Sequence, residues 1–179
     1  MATTQGNARK LTAGEIILAR LLYKDAVDYS RVRVHNGSYF PFGLQHEDTA
    51  VTPNGTLYFM PKHFKEDFAT ANAYDQHWFI HEMAHVWQYQ LGMNVRLRGL
   101  ASWAVSYQYS LPNYHLLSDY GMEAQASIIA DYFYLTRFGR NGFQVITNYS
   151  GIIGPDIKKR YEWVLRAFLN NPKNRNTLS

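Results

Sequence analysis

The sequence predicts an α+β fold in which a small β-sheet or hairpin packs on a central helix and on further helices. Two short alternating segments within residues 49–60 flank the turn signal Pro53-Asn54-Gly55, which is typical of a β-hairpin. Two longer segments carry helical patterns, from about Asn72 to Tyr89 and from Ser118 to a stop at Gly139. The 179 residues, 46% of them hydrophobic, suffice to bury the core of one domain spanning the whole chain.

The N-terminal part of the chain is predicted to contain one helix and one strand. Residues 1–10 lack an apolar run, so we expect a flexible arm there, and the polar residues 171–179 are expected to be flexible as well. Thr12-Ala13-Gly14-Glu15 is a capping box that opens a helix. Residues 31–34 alternate like a short strand. The helix residues expected to face the core are Ile16, Ile17, Leu21 and Leu22.

The second half of the chain gives mixed local signals. After Gly92, residues 95–98 and 103–107 are compatible with either strand or loop. A last helix is expected to begin near Pro155, a favourable residue for a first helical turn, and to run to about Asn170.

Composition narrows the functional classes. Because the chain has no cysteine, it has neither a disulfide nor a thiolate zinc site, and any metal must rest on histidine and carboxylate ligands. The net charge of +4 is too small to predict a nucleic-acid partner, and solvated helix faces explain it better. No apolar run is long enough to span a bilayer, and the first ten residues do not resemble a signal peptide, so synthesis in the cytoplasm is expected.

The most informative motif is His81-Glu82-Met83-Ala84-His85, in the interior of the predicted central helix. Residues four apart lie on one face of a helix, so the two imidazoles can bind one metal ion. This is the H-E-x-x-H arrangement of zinc hydrolases, which predicts Zn²⁺ on His81 and His85 and Glu82 as the catalytic base. The alternative is a core helix with two hydrogen-bonded histidines and a surface glutamate. The helix is expected to have Asp75 as its N-cap and Gly92 beyond its C-terminus.

Catalytic zinc usually has three protein ligands, and Glu123 is the best candidate for the third. It lies in the first turns of the second predicted helix, which is expected to be capped by Ser118 or Asp119. An acidic residue that faces the interior needs a cation, whereas the alternative is a solvent-facing carboxylate near a helix N-terminus. Asp131 is the alternative third ligand, or else it accepts a hydrogen bond from a ligand histidine.

Three further residues are candidates for a place in or near the site. Tyr120, just before Glu123, is the preferred donor to an oxyanion in the transition state, and His115 is a second candidate. A packing role is the alternative for both. His77, one turn before His81, is expected to be an exposed or outer residue and not a ligand. The edge of the small sheet beside the metal helix is where an extended peptide could add as a strand.

On these motifs the chain resembles the zincin-like proteins found beside Vgr and Rhs elements of type VI secretion and related contractile injection systems. The resemblance covers roughly residues 31–131. The segments that carry it are Val32–His35, Gly55–Phe59, Phe79–Gln88 and Tyr120–Ala126, of which the helix segment Phe79–Gln88 is the most specific.

The resemblance implies a minimal zincin-like fold of the gluzincin type, with His81, His85 and Glu123 on zinc and Glu82 as catalytic base. In many gluzincins an aspartate follows four residues after the glutamate ligand and supports a histidine. Here Ser127 stands at that position, so the support must differ, and Asp131 is a possible substitute.

The expected function is that of a zinc metallopeptidase that hydrolyses a peptide or protein substrate and serves as a type VI secretion effector. The resemblance further implies contact with components of the secretion apparatus and export through it. Two alternatives stay open: a non-catalytic zinc-binding accessory of the apparatus, and a hydrolase of the peptide stems of peptidoglycan.

Overall fold

The computed structural model describes residues 2–99 and 107–179, which form a four-stranded sheet and a set of helices. The strands are β1 (Ala8–Lys10), β2 (Arg33–Asn36), β3 (Ala50–Val51) and β4 (Thr56–Phe59). The helices are α1 (Ala13–Tyr23), α2 (Ala73–Gln90), α3 (Val95–Gly99), α4 (Met122–Phe138), α5 (Phe143–Ile146), α6 (Ile157–Val164) and α7 (Arg166–Asn170). This is a mixed α and β architecture with a small sheet, whereas the zincin-like assignment stays a prediction.

The sheet has the strand order β1-β2-β4-β3, which leaves β1 and β3 at its edges. The predicted hairpin is confirmed, since β3 pairs antiparallel with β4. Strand β2 pairs parallel with β4 and antiparallel with β1. The strand predicted at residues 31–34 begins two residues later, because Tyr29–Arg31 forms a 3-10 turn capped by the Asp28 side chain.

The predicted flexible arm is wrong for Ala8–Lys10, which forms β1. The arm is further held because the Gly6 amide donates to the Asn36 carbonyl at 2.7 Å. The predicted flexible tail is also held: the Trp87 indole donates to the Pro172 carbonyl at 2.7 Å, and Thr177 is buried. Both segments are polar in local composition, but their backbone groups form hydrogen bonds with the rest of the domain.

Helix α1 has the predicted capping box, in which Thr12 and Glu15 satisfy each other's backbone amides. Its predicted core face is wrong in part, because Ile17 and Leu21 are 67% and 58% exposed. The buried face instead follows the buried Glu15, whose carboxylate pairs with the Arg9 guanidinium at 2.7 Å. The residues buried with it at helical spacing are Leu18, Ala19, Leu22 and Tyr23.

Helices α2 and α4 pack side by side and form the centre of the molecule. The cap of α2 is Asn72, whose side chain accepts from the Asp75 amide, and not Asp75 as predicted. Gly92 follows α2 with φ +97°, a left-handed backbone that favours glycine. Helix α4 begins one turn later than predicted, with Gly121 as its cap, because Leu117–Asp119 forms a separate 3-10 turn.

Three other segments complete the comparison with the sequence predictions. Residues 95–98, predicted as strand or loop, lie in helix α3, so both alternatives are wrong there. The ambiguous residues 103–106 lie outside the described residues. The predicted last helix is divided into α6 and α7 at Leu165. None of the helices in the described parts of the chain has the length and apolar character needed to cross a membrane.

Candidate metal centre

His81, His85 and Glu123 meet where α2 packs on the first turn of α4. The Oε2 atom of Glu123 lies 3.3 Å from His81 Nε2 and 3.1 Å from His85 Nε2. The three candidate ligand atoms all lie within 4.8 Å of one another. The four-residue spacing of His81 and His85 places both imidazoles on one face of α2, and the packing of α4 against α2 brings the Glu123 carboxylate to them.

The chemistry of this donor set fits zinc. Two imidazole nitrogens and one carboxylate oxygen are the ligand set of many catalytic zinc sites, which keep a fourth position open. In a tetrahedral site with metal–ligand bonds of about 2.1 Å, neighbouring ligand atoms are separated by about 3.4 Å. The two nitrogen–oxygen distances in the structure are close to that separation.

The three groups form a charged cluster when no metal is bound. Burial alone would lower the pKa of His85, but the facing Glu123 carboxylate, with smaller effects from Glu82 and Gln88, raises it to about 9. Burial would likewise raise the pKa of Glu123, yet the imidazoles of His85 and His81 hold it well below its usual range. A proton on His85 therefore occupies the position that a cation would take.

Gln88 fixes the orientation of His85. The Nδ1 atom of His85 lies 2.8 Å from Gln88 Oε1 and donates to it, which leaves Nε2 as the metal-binding nitrogen. Gln88 is itself held, because its amide nitrogen donates to the Met122 carbonyl and to Gln125 Oε1. The i, i+3 spacing of His85 and Gln88 is the sequence signal for this contact, which the sequence analysis does not include.

Glu82 is buried, and not a surface residue as the non-metal interpretation of the motif requires. Its Oε2 atom accepts a hydrogen bond of 2.6 Å from the hydroxyl of Thr52, which is also buried. Thr52 follows β3 directly, so the end of this edge strand holds the Glu82 carboxylate of α2 through the hydrogen bond. Sequence reasoning missed Thr52, because nothing local links a turn residue to a glutamate 30 positions later.

A cleft of about 530 Å³, here called the larger cleft, opens over the candidate metal ligands. One wall is the edge strand β3, and the other walls are mainly apolar. The lining includes Val51, Val95, Arg96, Tyr107 and Met122. Burial raises the pKa of the Tyr107 hydroxyl to about 12, with contributions from the Glu123 and Glu82 charges, so this phenol stays a hydrogen-bond donor.

Tyr120, the predicted oxyanion donor, is directed elsewhere. Its hydroxyl donates to the Ser110 carbonyl at 2.7 Å, and it is absent from the described residues that line the cleft. His115 packs its ring against Tyr120 and is likewise absent from the described lining. Tyr107, unlike Tyr120, lines the cleft beside the candidate ligands, and no local sequence signal distinguishes these two tyrosines.

Asp131 has neither of its two predicted roles. It is fully buried, and its Oδ1 atom lies 2.7 Å from His77 Nε2, one turn before the candidate ligands. His77 is correspondingly buried instead of exposed. Asp131 therefore does not stand in for an aspartate at position 127. The Ser127 hydroxyl is buried, with no hydrogen-bond partner among the described residues.

Comparisons with known proteins show that the chain is similar to a protein of type VI secretion. No family model matches the chain. The type VI secretion system spike protein VgrG2b of Pseudomonas aeruginosa is 39% identical over 132 residues, or 70% of this chain, while the chain spans 13% of that relative's length. The solved effector domain of Pseudomonas aeruginosa VgrG2b is 33% identical with a TM-score of 0.67, and the match covers 84% of this chain and 89% of that domain.

Proposed function

The chain belongs to the family of the VgrG2b effector domain, and on that premise we propose that it is a zinc-dependent peptidase that acts as a type VI secretion effector. One observation carries the enzymatic part of the proposal. Two imidazole nitrogens and a carboxylate oxygen converge at distances suited to zinc, and a buried fourth group, Glu82, lies beside them on the cleft wall. A purely structural zinc site needs only its ligands, so the placement of Glu82 favours catalysis.

His81, His85 and Glu123 would hold the ion. When bound, zinc supplies Lewis acidity, which lowers the pKa of a water toward neutrality and polarises the scissile carbonyl. Glu82 would take a proton from the attacking water and deliver it to the leaving amine. One of its oxygens is occupied by the Thr52 hydroxyl, which leaves the other for this proton.

Two neighbouring features would serve the substrate. The Tyr107 hydroxyl, protonated at neutral pH, would donate to the developing oxyanion in place of the predicted Tyr120. The edge strand β3 lines the cleft and pairs with β4 on one side, so its other edge can accept an extended peptide.

The test is a comparison of the wild-type protein with Glu82→Gln. Both proteins are loaded with zinc, and metal content is measured beside the release of new amino termini from an unfolded protein, a peptide library and purified sacculi. We expect one zinc per chain in both proteins and hydrolysis by the wild type alone. Equal hydrolysis by both would refute the role of Glu82, and release from sacculi alone would identify peptidoglycan stems as the substrate.

The match to a spike protein supports a second candidate, a zinc-binding accessory that associates with the secretion apparatus. The same experiment separates the two candidates. An accessory binds zinc but hydrolyses none of the three substrates, and removal of the metal would weaken its association with the apparatus.

A further inference from the structure

A second, smaller cleft adjoins the candidate metal centre and differs from the larger one in its chemistry. It has a volume of about 280 Å³ and shares His81, Glu82 and Tyr107 with the larger cleft. Its own lining is polar and aromatic, unlike the mainly apolar wall of the larger cleft. The residues that give it this character are Asp48, Tyr74, His77, Trp78 and Asn148.

The edge strand β3 connects the two clefts. Ala50 lines both, Asp48 and Thr49 line the smaller cleft, and residues 51–53 line the larger one. A peptide that lies along this edge and crosses Glu82 therefore has one flank in each cleft. The two sides of the scissile bond would meet different surfaces, one apolar and one polar.

His77 is the fixed polar group of the smaller cleft. Its Nε2 atom is held by Oδ1 of Asp131. The other oxygen of Asp131 accepts hydrogen bonds from the Tyr109 hydroxyl at 2.5 Å and from the backbone amide of Asn148 at 3.3 Å. Tyr109 is in turn 2.5 Å from the Tyr161 hydroxyl, so the network extends to α6. Asp131 engages Nε2, and Nδ1 has no hydrogen-bond partner among the described residues, so Nδ1 is left for a partner in the cleft.

Resting on the proposed function, we propose that the smaller cleft is a second substrate subsite, in which His77 binds a neutral hydrogen-bonding side chain of the peptide. The groups that line it include both donors and acceptors: the His77 ring, the side-chain amide of Asn148 and the Asp48 carboxylate. A carboxamide or hydroxyl side chain matches this mixture, and Lys62 and His63 already pair with the Asp48 charge. The substrate class is thus a peptide with an apolar residue on one side of the scissile bond and Asn, Gln, Ser or Thr on the other.

The test measures binding, so that it does not depend on hydrolysis. A displayed random hexapeptide library is selected on zinc-loaded Glu82→Gln and on Glu82→Gln with His77→Leu. We expect selected peptides to carry an apolar residue and, a few positions away, a carboxamide or hydroxyl residue. His77→Leu should reduce the polar preference about tenfold and leave the apolar preference unchanged, as expected for one lost hydrogen bond in a site built around it.

Two further variants keep the test independent of folding effects at His77. Asn148→Ala keeps the backbone amide that supports Asp131 and should weaken the same polar preference. Val51→Ala, in the larger cleft, should weaken only the apolar preference. Selection of no peptide, or a polar preference that neither His77→Leu nor Asn148→Ala changes, would overturn the subsite. Selective binding without hydrolysis by the wild type would instead contradict the proposed peptidase and leave the subsite standing.

Discussion

Zinc binding to this site should release a proton and depend steeply on pH. In the metal-free protein Glu123 keeps His85 protonated up to about pH 9, whereas an imidazole must be neutral to bind a metal. Zinc therefore has to displace a proton at neutral pH. A stronger pairing of His85 with Glu123 lowers the apparent zinc affinity at pH 7 further below the affinity reached at alkaline pH.

The magnitude follows from that pKa. One pH unit corresponds to about 1.4 kcal/mol, so at pH 7, two units below the pKa, apparent affinity should be about 100-fold below its alkaline limit. It should rise about tenfold per unit between pH 6 and 8. The stability of the metal-free protein should change in the opposite direction. The folded pKa of His85 is raised above 6.5, so its contribution is present below pH 6.5 and is lost as pH rises through 9.

Competition with a chromophoric chelator from pH 6 to 9 measures the affinity, and calorimetry in two buffers of different ionisation enthalpy counts the protons released. We expect about one proton per zinc at pH 7. Glu123→Gln should weaken binding and move the pH dependence to lower pH, because the charge that raises the pKa of His85 is gone. Glu162→Gln, at a partly exposed glutamate of α6 that pairs with Lys158, is the matched control and should behave like the wild type. A zinc affinity that is constant from pH 6 to 8 would refute the reasoning.

Three further predictions concern the surroundings of the site. Thr52→Val removes a hydrogen bond to the Glu82 carboxylate worth about 1.5–3 kcal/mol, so kcat/KM should fall about 10–100-fold with zinc content unchanged, and Thr52→Ser should restore it. Gln88→Leu should weaken zinc binding about 10–100-fold without removing a ligand, as chelator competition would show. Tyr107→Phe should lower kcat about 100-fold, whereas Tyr120→Phe should leave kcat unchanged; equal effects of these two would contradict the assignment of the oxyanion donor.

The parts that could be predicted from sequence are those that depend on local periodicity. The four-residue spacing of His81 and His85 brings them to one helix face wherever the helix lies, and the hairpin follows from its turn residues. Glu123 could be proposed because an acidic residue facing the interior needs a cation. The path of the chain between helices decides the rest, and no local pattern encodes whether Tyr107 or Tyr120 reaches the cleft.

The prediction of which face of α1 contacts the core is wrong in part for a related reason. Ile17 and Leu21 look like core residues by hydrophobicity alone, but the helix buries Glu15, which pairs with the partly buried Arg9, and leaves Ile17 and Leu21 exposed. That a charged residue lies in the interior becomes evident only when the structure shows its partner, here Arg9 on β1. The N-terminal arm was misassigned for the same reason.

The indole of Trp87 and the amide of Gln125 both reach the last residues of the chain, at the Pro172 and Thr177 carbonyls. Gln125 is also the neighbour of Gln88, so the terminal segment acts as a remote brace on His85 from behind the helix. We expect a chain shortened to Asn170 to keep all three candidate ligands and still to bind zinc more weakly. Sensitivity to C-terminal clipping would then act through the candidate metal centre.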